Sequence, residues 1–165
     1  MSLKMKCLSE EISFSKKVIE DRLQQLDFKN EYEVKKLLYY PYFVFEYSMD
    51  RKGFFHPLQG KTGCTIDGVN KIGALTDVYP NLEENTLNER EVIQPQIDLQ
   101  ESKVLAKNFM EEAIAKKKKI FTVPQLVDIR EEKFFRPYWV VQGRGKKTNS
   151  FLLTVDAVSG KFHPL

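Results

Sequence analysis

The chain has 165 residues, with 26 basic and 23 acidic side chains giving a formal charge of +3. So small a surplus argues against a nucleic-acid or anionic-membrane binder, and 42% hydrophobic with 30% charged residues argues against a disordered chain. No apolar run reaches 18 residues, and Cys7 and Cys64 stand too far apart for a zinc knuckle or a disulfide scaffold.

In chain order, the N-terminus carries charge but no apolar h-region, so no signal peptide is read. The expected location is cytoplasmic as the sequence stands, and extracytoplasmic if a native N-terminal signal has been trimmed away. Glu10 to Leu26 has the period of a helix, with Ile12, Ile19, Leu23 and Leu26 on one stripe and Ser9 as N-cap. Glu31 to Met49 turns extended, and Pro41 forbids a helix interior there while implying a strand start, an edge or a bulge. Asp50 to Gly53 reads as a turn, Phe54 to Gly63 as a long loop, and Cys64-Thr65-Ile66 as a second strand that resumes at Ile72 to Leu75.

Tyr79 to Gln100 is polar and acidic and reads as a linker, with a short helix admitted at Leu82–Glu91. Glu101 to Lys118 is a second helix with Leu105, Ala106, Phe109, Met110, Ala113 and Ile114 as its apolar stripe. Strand signals follow at Leu126–Ile129, Phe134–Val141 and Ser150–Val155, with Gly143 to Lys147 as a hairpin loop.

Two motifs recur in the same order. Tyr40-Pro41-Tyr42-Phe43-Val44 matches Arg136-Pro137-Tyr138-Trp139-Val140, and Thr65-Ile66-Asp67-Gly68-Val69 matches Thr154-Val155-Asp156-Ala157-Val158. Each pair follows a helical segment, so the chain reads as a duplicated unit. After a strand, Asp67 and Asp156 suit Asx-type turns, with Gly160 supplying a positive φ in the second copy and Asn70-Lys71 standing in for it in the first.

The helix–strand–strand unit closing on Val155-Asp156-Ala157-Val158-Ser159-Gly160-Lys161 resembles the PepSY-type domain. The second copy, Gln100 to Leu165, carries the whole motif. The first departs at its final glycine. The resemblance implies a cystatin-like α+β module linked to binding, to peptidase regulation and to the cell envelope, without catalytic residues.

The expected fold class is therefore α+β: two tandem PepSY-like helix–antiparallel-sheet units, residues 9–78 and 100–165, packed together and joined by a linker at 79–99. The expected function is a non-enzymatic binding or regulatory module, with no catalytic residues, metal ligands or cofactor. Tyr42, Tyr138, Arg136, Phe54, Phe55 and His56 are the expected partner surface, for a protein or peptide rather than nucleic acid, and self-association stays open. A second reading is a metal- or Cys/His-dependent hydrolase using His56, Cys64 and Asp67, which have the right types but no surrounding signature. A third is weak nucleic-acid binding through Arg51-Lys52, Lys116 to Lys119, Arg136 and Arg144 to Lys147 beside aromatics.

Overall fold

The computed structural model describes residues 3–50, 60–118, 125–147 and 149–164. Its elements in chain order are β1 (Lys4–Glu10), α1 (Lys16–Leu26), β2 (Asn30–Asp50), β3 (Gly60–Asp67), β4 (Gly73–Leu75), β5 (Leu82–Asn88) and a 3-10 turn (Glu89–Glu91). Then come α2 (Leu99–Lys118), β6 (Gln125–Gly145), β7 (Phe151–Asp156) and β8 (Phe162–Pro164). No described helix is long and apolar enough to cross a membrane.

This overturns the expected pair of tandem helix–sheet units. Among the described residues the fold is mostly sheet, 53% strand and 23% helical, with two helices and one eight-stranded mixed sheet. The strand order is β4-β3-β2-β6-β1-β5, with β7 on β6 and β8 on β7.

Two compact units form, and neither is contiguous in sequence. The first comprises Met1–Tyr40, Asn81–Ile93 and Phe135–Leu165; the second comprises Pro41–Pro80 and Gln94–Phe134. The strands β2 and β6, each 21 residues long, contribute to both. Length makes this unavoidable. An 11-residue helix such as α1 extends about 17 Å and covers roughly five residues of a strand that rises about 3.3 Å per residue.

In the first unit, Ile19 and Leu23 of α1 pack on Val34 and on Val141, Leu153 and Val155, which belong to the second motif copy. In the second unit, Ala106, Met110 and Ile114 of α2 pack on Phe43, Phe45 and Tyr47 of the first copy, with Cys64 and Ile66 beside them. Each copy's helix thus covers the other copy's strands. Alternation along β2 puts Phe43, Phe45 and Tyr47 on one face, and that face is the one α2 buries, Phe43 and Phe45 each contributing about 1.5–3 kcal/mol by burial.

Several local readings also change. Residues 4–10 form a strand because Met5, Leu8 and their neighbours pair antiparallel with all of β5, from Lys4↔Asn88 to Glu10↔Leu82. The first helix is accordingly shorter: Ser15, not Ser9, is its N-cap, accepting from the Val18 N–H at 3.4 Å. The Leu82–Glu91 stretch is β5 plus one 3-10 turn, since a complete ladder outweighs the helix propensity of Glu83 and Glu84. Pro41 and Pro137 each stand one residue before a ladder begins, at Tyr42↔Asp67 and Tyr138↔Asp156, so neither removes a donor from it.

Candidate functional site

The two Asp turns are built alike. Asp67 Oδ1 accepts from the N–H groups of Val69 and Asn70 at 2.8 and 2.9 Å, and Asp156 Oδ1 from those of Val158 and Ser159 at 2.8 and 3.2 Å. The N–H groups of Lys71 and Gly160 close the turns onto the carbonyls of Asp67 and Asp156. The left-handed position is filled by Gly160 (φ 77°) in one and by Lys71 (φ 63°), rather than Asn70, in the other. Both aspartates are thereby engaged by their own backbone.

Asp156 also belongs to a buried ion cluster in the first unit. Arg136 Nη1 donates to both carboxylate oxygens of Glu10 at 2.9 and 3.0 Å, while its Nε donates to Asp156 Oδ2 at 2.9 Å. Glu10 and Asp156 are 7% and 9% exposed. Burial is the largest influence on Glu10 and holds its pKa above the usual carboxylate value despite Arg136; Asp156 lies nearby and adds to the rise. Asp156 is also opposed by burial, but Arg136 and the N–H groups of Val158 and Ser159 bring it below its usual value. The first motif copy has Tyr40 where the second has Arg136, so this cluster is not repeated. Sequence reading had Arg136 on a partner surface and Glu10 at a helix start; only the approach of β1 to β6 at Ser9↔Phe135 brings them together.

Tyr42 stacks on Phe134 at 5.7 Å between centroids, and Tyr138 meets Tyr40 edge-on at 6.2 Å. Both tyrosines are half-buried. Phe54, Phe55 and His56 lie outside the described residues. His163 falls in β8 and is exposed. Cys64 is fully buried, its Sγ 3.9 Å from the Ala106 carbonyl, and burial pushes its thiol pKa up to about 12. A thiol in that setting is a packing group with almost no thiolate at neutral pH. Among the described residues no group of three or more His, Cys, Asp or Glu side chains is placed to hold a metal ion.

The candidate site is a cleft of about 250 Å³ in the second unit. One wall is α2, through Met110, Ala113, Ile114 and Lys117. Facing it are Lys61, Thr62 and Gly63 at the start of β3, with Met49 of β2 behind them. Leu75, Thr76 and Asp77 close one side, where the chain leaves β4 and the Thr76 N–H bonds the Gly63 carbonyl at 2.9 Å.

The cleft exists because the two motif copies differ here. Counted from the residues that accept the first-turn N–H bonds, Ser15 and Asp98, Leu26 at the end of α1 corresponds to Phe109. Residues 110–118 of α2 therefore have no counterpart in α1, and they form the helical wall. On the strands, Thr62 corresponds to Phe151 and Cys64 to Leu153, so the second unit places smaller side chains on its second strand. The indentation beside α1, by contrast, holds about 20 Å³ between Arg22, Leu26 and Phe162.

Compared with protein-family models, with curated proteins and with solved structures, the chain gives no significant match to any of them.

Proposed function

We propose that this protein is a non-catalytic binding module whose ligand site is the cleft between α2 and the start of β3. The observation that carries the reading is the nine-residue extension of α2, which builds one wall of a cleft of about 250 Å³ over small side chains, with mixed apolar and polar groups converging on it. That combination is how small-molecule sites are made. Against catalysis stand the commitments of the candidate groups: Asp67 and Asp156 are tied to backbone N–H groups, and Cys64 is buried and protonated.

The test is a ligand screen on the protein with methyl-labelled methionine. Met49 and Met110 line the cleft and Met5 lies in β1 of the other unit, so they report on and off the site within one spectrum. Compounds that bind are expected to move the Met49 and Met110 methyl signals and leave Met5 in place. Ala113→Phe, which places a ring in the cleft, is expected to abolish those shifts. A broad library that moves neither signal would refute the assignment.

A further inference from the structure

The chemistry of the cleft, taken as a ligand site on the reading above, points to one class of occupant. We infer that it takes a small amphipathic anion, a carboxylate carried on a short apolar chain.

The floor and helical wall supply the apolar part. Met49, Ala113, Ile114 and Leu75 present thioether and aliphatic surface above the buried Met110, and Met49 can adjust to ligand shape through its unbranched chain. Ile114 is 7% exposed and Met110 fully buried, whereas Leu75 is 51% exposed, so the apolar surface runs from the core out to the rim. A volume of about 250 Å³ lies below the range of roughly 300–1,000 Å³ usual for drug-sized ligands, which favours a compact chain.

The rim supplies the charge preference. Lys61 of β3 and Lys117 of α2 stand on opposite walls, and among the described residues Asp77 is the one acidic residue lining the cleft. Lys61 is 75% exposed and its ammonium group meets Glu46, whose side chain is 15% exposed, only at 3.8 Å, a separation beyond hydrogen-bond range that leaves the ammonium able to turn towards a ligand. Thr62 and Thr76 add hydroxyl groups that can donate to a carboxylate. A carboxylate between the two walls gains two charge-assisted contacts. An ammonium group there would meet the like charges of Lys61 and Lys117.

The experiment compares octanoate, octanol and octylamine, all below their aggregation concentrations, with the full chain and the methionine methyl readout. Octanoate is expected to shift Met49 and Met110 and to bind more tightly than either of the others. Affinity along the series butanoate, hexanoate, octanoate is expected to rise about fourfold per added methylene until the cleft is full. Lys61→Ala with Lys117→Ala is expected to weaken octanoate about tenfold and leave octanol unchanged. Ala113→Phe is expected to remove binding of all three. Should that variant fail to fold, the chain-length series on the unaltered protein decides the apolar contribution. Equal or tighter binding of octanol or octylamine at the same methyl signals overturns the anionic class while leaving the cleft a ligand site. If none of the three moves Met49 or Met110, this inference fails, and silence in the wider screen as well removes the binding-site reading too.

Discussion

Replacing Arg136 with methionine tests whether the buried ion cluster works as the geometry says. The substitution keeps much of the apolar stem and removes the guanidinium that bonds Glu10 and Asp156 at 2.9–3.0 Å. Removing one partner of a buried pair costs about 3–5 kcal/mol. The Arg136 side chain retains 25% exposure, so water can reach part of the vacated space and the lower end, about 3 kcal/mol, is expected. For a chain of this size that is a fall in Tm of roughly 6–12 °C at pH 7, read by circular dichroism or calorimetry.

The pH dependence separates charge from packing. In the native protein the pKa of Glu10 is raised, so its contribution to stability is present at low pH and lost as pH rises through its folded value. That of Asp156 is lowered, so its contribution is present above the ordinary aspartate range and lost as pH falls through its folded value. Without Arg136 both carboxylates keep the burial that raises them and lose the cation that lowers them. The variant then gains stability relative to the native protein as pH falls from 7 towards about 4, and the gap narrows. Arg136→Lys keeps the charge but not the fork, and should lose about half as much. A gap of the same size at pH 7 and pH 4.5 would show that the loss comes from packing, and the charge argument would be wrong.

Three further outcomes follow from the same contacts. A fragment ending at Pro80 lacks α2, which buries Phe43, Phe45 and Tyr47; it should show no cooperative melt alone, and regain one when mixed with the remaining fragment. An independently folded N-terminal fragment would contradict the exchanged helices. Lys71→Gly should stabilise the chain by about 0.5 kcal/mol, because a left-handed L-residue costs roughly 1–2 kcal/mol and glycine returns part of that as chain entropy. Gly160→Ala should destabilise it by about 1 kcal/mol or more, because φ 77° is strained for any residue with a Cβ, and the added methyl would also lie 3.2 Å from the Phe14 ring; denaturant melts of both variants decide. At neutral pH a thiol reagent should label Cys7, which is half-buried, well before Cys64, which should react only at the rate of opening; fast labelling of Cys64 in the folded protein would revive a nucleophilic role.

The sequence by itself determined the pieces whose causes are local. The paired Asp turns follow from a carboxylate two and three residues ahead of the N–H groups it accepts from, and the sidedness of Phe43, Phe45 and Tyr47 follows from strand alternation. The second helix follows from a stripe long enough to have one period. Only tertiary structure decided partnership. The stripe of Ile19 and Leu23 and that of Ala106 and Met110 each state that a face must be buried, and neither states against which strands, because hydrophobic burial carries no direction. Residues 4–10 and 82–88 became strands through one another, 72 or more positions apart, and no local pattern encodes such a ladder. The cleft likewise depends on how far α2 outruns α1 above Thr62 and Met49, a difference that matters only once those strands lie beneath that helix.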